Sequence, residues 1–255
     1  MNILITAGGT SENIDEVRRI TNTGTGRLGA MVADAFAGLV PESRIVYICN
    51  DGAILPEAAV DVRIADDVDS VETAVRGACA EFPFDIIVHS MAISDFRVRA
   101  VCDADSMAER VHERRASPPP GDTAATAEAV REVLLSPHGI RESKISSDKE
   151  ALIVVLEKAP KIISLLRGLA ADAVIVGFKL LAGAEEDELI EAGLNLLKLN
   201  DCDFVLANDM KTVRGESGHE GLLVARDGSY ERAVGKSAIA AMIAQSASRL
   251  KNARE

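Results

Sequence analysis

Short apolar runs bounded by turn residues recur along this chain: Ile3 to Thr6, Ile45 to Cys49, Val62 to Ala65, Ile86 to His89, Val174 to Val176 and Phe204 to Leu206. Several show no polar alternation, the pattern of strands covered on both faces, as parallel strands are. Helix-length segments lie between them, at Leu28 to Leu39, Val68 to Phe82, Ile162 to Ala170 and Glu185 to Leu199. This alternation predicts an α/β fold built on a doubly wound, mostly parallel, Rossmann-like sheet. The 255 residues, 47% of them hydrophobic, suffice for a substantial core in a single domain over 1–255.

Two regions break the alternation. Val101 to Arg141 includes RRASPPPGDT and no sustained apolar period, so a mobile insertion and flap is expected over 101–150, helical near Ala124 to Leu135. Further on, LLVARDGSYERAV sets Asp227-Gly228 between two short alternating runs. That is the signature of a β-hairpin, and a helix of small residues is expected after it, from Lys236 to about Leu250.

Composition removes several classes of function. A net charge of −12 argues against a nucleic-acid partner, whose phosphates are met mainly by Lys and Arg. No stretch approaches the roughly 20 apolar residues of a membrane span, and MNILITAGG lacks the basic flank and long apolar core of a leader, so a cytoplasmic protein is expected. Cys49, Cys79, Cys102 and Cys202 form no C-x-x-C pair, which fits reduced thiols and no dedicated metal site. Small anionic ligands remain open, because backbone N–H groups at a helix N-terminus bind phosphate without net positive charge.

The glycines carry the first candidate site. Gly8-Gly9 follows the first strand directly, where α/β sheets bind ligands and where glycine lets a backbone approach a phosphate; a plain tight turn explains the pair equally well. A second cluster, Gly24-Thr25-Gly26-Arg27-Leu28-Gly29, has dinucleotide-fingerprint spacing but is separated from the strand by the long segment Thr10 to Thr23. Neither Tyr47 nor Tyr230 has a lysine four residues on, which removes the usual acid of a reductase.

Other candidates fall at strand ends. In IIVHSMAISDFRV the strand runs out into a loop bearing His89, Ser90, Met91, Ala92, Ser94 and Asp95. His89 alone reads more readily as structural, and Asp95 alone as a helix cap. Lys144 lies in a polar hinge within ESKISSDKEALIVVLEKAPKII, followed by a strand-like Ala151 to Leu156 and by Pro160 at a helix entry. Phe178 ends VIVGF and Asn208 ends FVLAN.

In order, ITAGGTSENIDEVRRITNTGTGRLG, HSMAISDF, SKISSDKEALIVVLEKAPKII, VGFKLLAG and DFVLANDM resemble the phosphopantothenate-cysteine ligases in their stand-alone bacterial form. The resemblance implies amide formation between 4′-phosphopantothenate and L-cysteine through an acyl-nucleotide, in coenzyme A biosynthesis. It also implies CTP (or ATP) as co-substrate, Mg2+ carried with the nucleotide, and a homodimer. Matched position by position, Gly8, Gly9, Gly24, Gly26 and Gly29 correspond to the nucleotide cradle and Phe178 to a residue near base or ribose. Asn22 corresponds to the asparagine of the acyl intermediate and Lys144 to the flap lysine. Ser90, Met91, Ala92 and Asp95 match the loop shared by nucleotide and substrate. Pro160, Lys161, Ile162 and Ile163 match a nucleotide-binding helix start, Asn208 an asparagine at the last strand's end, and Lys198 a lysine of the preceding helix.

The chain departs from that pattern in two places: Ile145, Ser146 and Ser147 follow Lys144 where further lysines are usual, and Lys198 is offset by one or two residues. Two rival readings are an NAD(P)-dependent reductase and a non-catalytic nucleotide sensor.

Overall fold

The computed structural model describes residues 1–114, 123–135, 148–214 and 218–254. In chain order the elements begin with β1 (Asn2–Ala7), β2 (Ser11–Asn13), β3 (Arg19–Thr21), α1 (Arg27–Leu39), β4 (Arg44–Cys49), β5 (Asp61–Ile64), α2 (Val68–Glu81) and β6 (Ile86–His89). Then come β7 (Phe96–Asp103), α3 (Ala104–Arg114), α4 (Thr123–Leu135), β8 (Leu152–Lys158), α5 (Ile163–Leu169) and β9 (Val174–Leu181). The remainder is α6 (Glu186–Asn200), β10 (Phe204–Asp209), α7 (Met210–Arg214), β11 (Glu220–Ala225), β12 (Tyr230–Val234) and α8 (Lys236–Asn252).

Contacts divide the chain into two units. The first comprises Met1–Thr10, Asn22–Ile93 and Pro160–Glu255, and holds a sheet in the order β12-β11-β10-β9-β6-β1-β4-β5. From β5 to β10 every neighbouring pair is parallel, while β11 and β12 join antiparallel as the expected hairpin. Among the parallel strands β1 lies in the middle, its successors β4 and β5 on one side and β6, β9 and β10 on the other. The order therefore reverses between β1 and β6, and in such sheets ligands bind outside the carboxyl ends at that reversal.

Both faces of the sheet are covered, which accounts for its unbroken apolar runs. Ile3, Ile5 and Ala7 share one buried cluster with Ala33 and Phe36 of α1 and Ile239 and Ile243 of α8. The alternate residues Leu4, Val46, Ile48, Ile87 and Ile175 are buried too, and α2, α5 and α6 form the neighbouring helix series. Local signals set the helix ends. Asp67 and Ser70 close a reciprocal capping box at α2, and Glu186, Asp187 and Glu188 occupy the first turn of α6, where carboxylates favour the helix dipole.

At the amino end of β10, the fully buried Asp203 carboxylate accepts from the Arg167 guanidinium and the Ile175 amide at 2.8 Å each, and from Arg254 at 2.6 Å. Arg226 adds an ion pair at 3.2 Å. Burial alone would raise this carboxyl's pKa, but Arg254, the Ile175 amide and Arg167 outweigh it and hold it below the usual value.

The second unit comprises Ser11–Thr21 and Ser94–Ala159. Here β2 and β3 form a small hairpin whose turn is organised by Asp15, which accepts the amides of Val17 and Arg18 and the Arg18 guanidinium. β7 pairs antiparallel with β8, with a register shift between Val98 and Ala100, and Glu157 takes both Arg97 and Arg99. Strand β7 and helix α3 are additions to the sequence expectation, while α4 matches the helix expected near Ala124 to Leu135. The expected 101–150 excursion falls inside this unit, which also takes in the segment after Thr10.

Candidate functional site

The carboxyl ends of β1 and β6 are joined by more than their ladder. Thr6 and His89 are register partners, and the Thr6 hydroxyl lies 2.9 Å from His89 Nδ1. Thr6 Oγ1 also accepts the Met91 amide at 3.4 Å, and as both donor and acceptor it meets either tautomer of the imidazole. Burial pushes the His89 pKa down to about 4. Ser90 returns its hydroxyl to the Thr6 carbonyl at 2.7 Å, and beyond the strands Ala92 N–H donates to Gly8 O and Thr10 N–H to Ala92 O. His89 therefore orients the loop that carries Ser90, Met91 and Ala92.

The two glycine clusters lie against each other. Chain leaves this unit at Thr10 and returns at Asn22, whose amide donates to the Thr10 carbonyl at 2.9 Å. A β-carbon on Gly24 would lie 2.3 Å from Gly8 O, and one on Gly9 would lie 2.0 Å from Asn22 O. These glycines are required by backbone-to-backbone packing, whatever ligand they also admit. Asn50, at the end of β4, fixes the first cluster by accepting the Gly9 amide at 3.0 Å. Its role is tertiary, joining the loop after β4 to the loop after β1.

Gly26 supplies the left-handed N-cap of α1, at φ 75°, and has no side-chain cap. Its carbonyl accepts from Tyr47 Oη at 3.3 Å. Gly29 packs so that a β-carbon would lie 2.5 Å from Ala7 Cβ and 2.9 Å from Ser90 Oγ. The end of β1, the start of α1 and the β6 loop therefore converge, bringing together Gly8, Gly9, Asn22, Gly24, Gly26, Gly29, Ser90, Met91 and Ala92.

The other sequence candidates are distributed as follows. Ile162 and Ile163 open α5, and a β-carbon on Gly177 would meet Ile163 Cδ1 at 2.9 Å, which ties Pro160 to Ile163 to the stretch of β9 that bears Phe178. Asn208 ends β10 beside Leu180 of β9, and its amide nitrogen lies 3.0 Å from Nε2 of His219, a residue the sequence reading overlooked. Lys198 stands in the last turn of α6, before the amino end of β10, whereas Asn208 is at the carboxyl end; the two are at opposite ends of that strand. Asp95 falls in the second unit, where its carbonyl accepts the Ala159 amide. Lys144 lies outside the described residues. Among the described residues no group of three His, Cys, Asp or Glu side chains is placed to hold a metal, and no helix is long and apolar enough to cross a membrane.

This arrangement can grip a phosphorylated ligand at the α1 N-terminus, beside an amide side chain, Asn22, that emerges between the glycine clusters. Known proteins resemble the chain in sequence and in fold. Coenzyme A biosynthesis bifunctional protein CoaBC of Thermococcus kodakarensis is 27% identical over 226 residues, 88% of this chain and 45% of that protein. The Methanocaldococcus jannaschii protein of the same name is 28% identical, over 82% of this chain and 40% of its own length. This chain thus spans less than half the length of those curated relatives. Among solved structures, the DNA/pantothenate metabolism flavoprotein from Streptococcus pneumoniae superposes with a TM-score of 0.77 at 27% identity, covering 98% of this chain and 99% of that one. A Cab2 variant in complex with phosphopantothenate-cysteine shares the fold, with a TM-score of 0.65 at 19% identity over 98% of this chain and 86% of that one. The DNA/pantothenate metabolism flavoprotein C-terminal domain description matches residues 1–112 and 100–250, and the chain belongs to that family.

Proposed function

We propose that this protein joins 4′-phosphopantothenate to L-cysteine, with CTP, in preference to ATP, as the activating co-substrate. The observation that carries the reading is the convergence of both glycine clusters at the reversal point of the sheet, with Asn22 between them. Relatives named for coenzyme A biosynthesis and a like-folded Cab2 bound to phosphopantothenate-cysteine support it.

The chemistry follows from the poor electrophilicity of a carboxylate. A carboxylate oxygen of 4′-phosphopantothenate attacks the α-phosphorus of CTP, the bond to the β-phosphate oxygen breaks, and pyrophosphate leaves. Cysteine's amine nitrogen then attacks the acyl carbon, the carbon–oxygen bond to CMP breaks, and the nitrogen loses a proton as the amide forms. Positioning and stabilisation of phosphate charge are the protein's contribution. The amino end of α1, where the N-cap Gly26 carries no side chain, would face the phosphates, Asn22 would hold the acyl intermediate, and Phe178 would lie against base or ribose. Mg2+ would arrive with the triphosphate and neutralise its charge.

The reading further makes the protein a cytoplasmic homodimer. The edge strand β12, with Tyr230 and Val234 largely exposed, offers a surface for that pairing.

Pyrophosphate release tests the reaction. Release with CTP or ATP should require 4′-phosphopantothenate, and the amide should appear only when cysteine is added. No release with either nucleotide in the presence of 4′-phosphopantothenate overturns the proposal.

A further inference from the structure

Strand β10 ends on Asn208 and Asp209, and these neighbours are used differently. The Asp209 carboxylate is committed to the chain, accepting the Ala184 amide at 2.9 Å and the Lys211 amide at 2.7 Å. Asn208 is buried, at 7% exposure, and the one hydrogen bond of its side chain among the described residues joins Nδ2 to Nε2 of His219, itself only 8% exposed. His219 stands just ahead of β11, and its carbonyl accepts the Gly235 amide at the N-cap of α8.

The pair has a defined sense. An amide nitrogen can only donate, so Nε2 must accept, and the ring is neutral with its proton on Nδ1. Burial and the nearby charge of Lys236 both lower this imidazole's pKa and favour that neutral form. Among the described residues Nδ1 is buried without a partner. A buried imidazole with one unpaired nitrogen is costly to keep if its only purpose is packing.

We propose that His219 is a positioning residue for nucleotide recognition. By holding Nδ2 it fixes the rotation of the Asn208 amide, so that Oδ1, on the side away from the imidazole, is presented at the carboxyl end of the sheet. There it accepts a hydrogen bond from a neutral donor of the nucleoside, a sugar hydroxyl or a base amine. The inference rests on the nucleotide-dependent reading above. Simple satisfaction of two buried polar groups would give the same contact but no coupling to ligand.

The test is a double-mutant cycle in nucleotide binding, measured by calorimetric titration of the full chain with CTP and with ATP. His219→Ala should weaken binding about tenfold, the factor carried by one net hydrogen bond, and should raise KM for nucleotide but not for cysteine. His219→Gln, which keeps an acceptor, should restore binding, and adding His219→Ala to Asn208→Ala should weaken it no further. Should His219→Ala fail to fold, His219→Leu against His219→Gln gives the same contrast. Comparison of CTP with 2′-deoxy-CTP and UTP tells the sugar hydroxyl from the base amine. Unchanged nucleotide binding in His219→Ala, additive effects in the cycle, or no binding of either nucleotide by the unmodified protein overturns the inference. Additive effects in a protein that still forms the amide would leave the ligase reading intact. Coupled effects in a protein that never releases pyrophosphate would overturn that reading alone.

Discussion

The carbonyl oxygen of Asn22 lies 2.0 Å from where the β-carbon of any residue other than glycine would sit at position 9. Gly9→Ala must therefore push apart the two backbones that bring Asn22 to the end of β1. Overpacking of this kind costs about 1–3 kcal/mol, which urea unfolding would register. Turnover should fall further than stability, by at least tenfold at saturating substrate, because a displacement of about 1 Å at a positioning group is enough for such a loss. Full turnover by a folded Gly9→Ala protein would detach the backbone contact from function.

Asn22→Asp replaces an amide that can donate with a carboxylate that repels the phosphate of an acyl-nucleotide. The first half-reaction should persist and the second should stall. A burst of pyrophosphate close to the enzyme concentration, with little amide formed on adding cysteine, is the expected record in a rapid-quench experiment. Normal amide formation would remove Asn22 from the role assigned to it.

Asp203 is the most heavily committed carboxylate of the sheet, its side chain fully buried under Arg167, Arg226 and Arg254. Asp203→Ala leaves three guanidinium groups without their shared anion, and should cost about 3–5 kcal/mol of stability in urea unfolding. The folded carboxyl titrates below its usual value of 3.8. Its contribution is therefore present above about pH 4 and disappears as pH falls through the lowered folded value. Asp203→Asn should be less stable at neutral pH and should lose less on acidification.

His89 gives a dependence of the same sign over a higher range of pH. Its folded pKa is near 4 against the usual 6.5, so below 6.5 the unfolded chain takes up a proton that the folded one refuses. Stability should decline as pH is lowered from about 6.5 to about 4, with a limiting slope of about 1.4 kcal/mol per pH unit. His89→Gln, which can still hydrogen-bond Thr6, should remove that part of the slope; His219, lowered in the same direction, would leave a remainder. An unchanged slope would mean that the ring is not held neutral by burial.

What the sequence disclosed, and what it hid, follows from how far apart in the chain the determining partners lie. The parallel strands were legible because burial on both faces leaves an unbroken apolar run, and the helices between them because one face alone is buried. Strand β7 was hidden by its own irregularity. The register shift between Val98 and Ala100 changes phase, so Val98, Ala100 and Val101 are all buried and the two-residue period fails. Its charged residues Arg97 and Arg99 both meet Glu157, far along the chain. The β2–β3 hairpin left almost no apolar trace because it is held by Asp15 turn chemistry and a ladder of three residues a side. Within the site the glycines were legible as glycines, but their reason, one backbone against another, was not. The pairing of Asn208 with His219 was invisible because it depends on how the chain returns to the sheet at β11.

Helices α1 and α8 share one layer, yet one follows the first strand of the sheet and the other follows its last. On the ribosome, Ala30, Ala33 and Phe36 emerge early, whereas Ile239, Ile243 and Ala247, which complete their cluster, are made after every strand. From the emergence of α1 until that of α8 the growing chain therefore presents a bare apolar stripe. This favours late, all-at-once closure of that layer once α8 arrives.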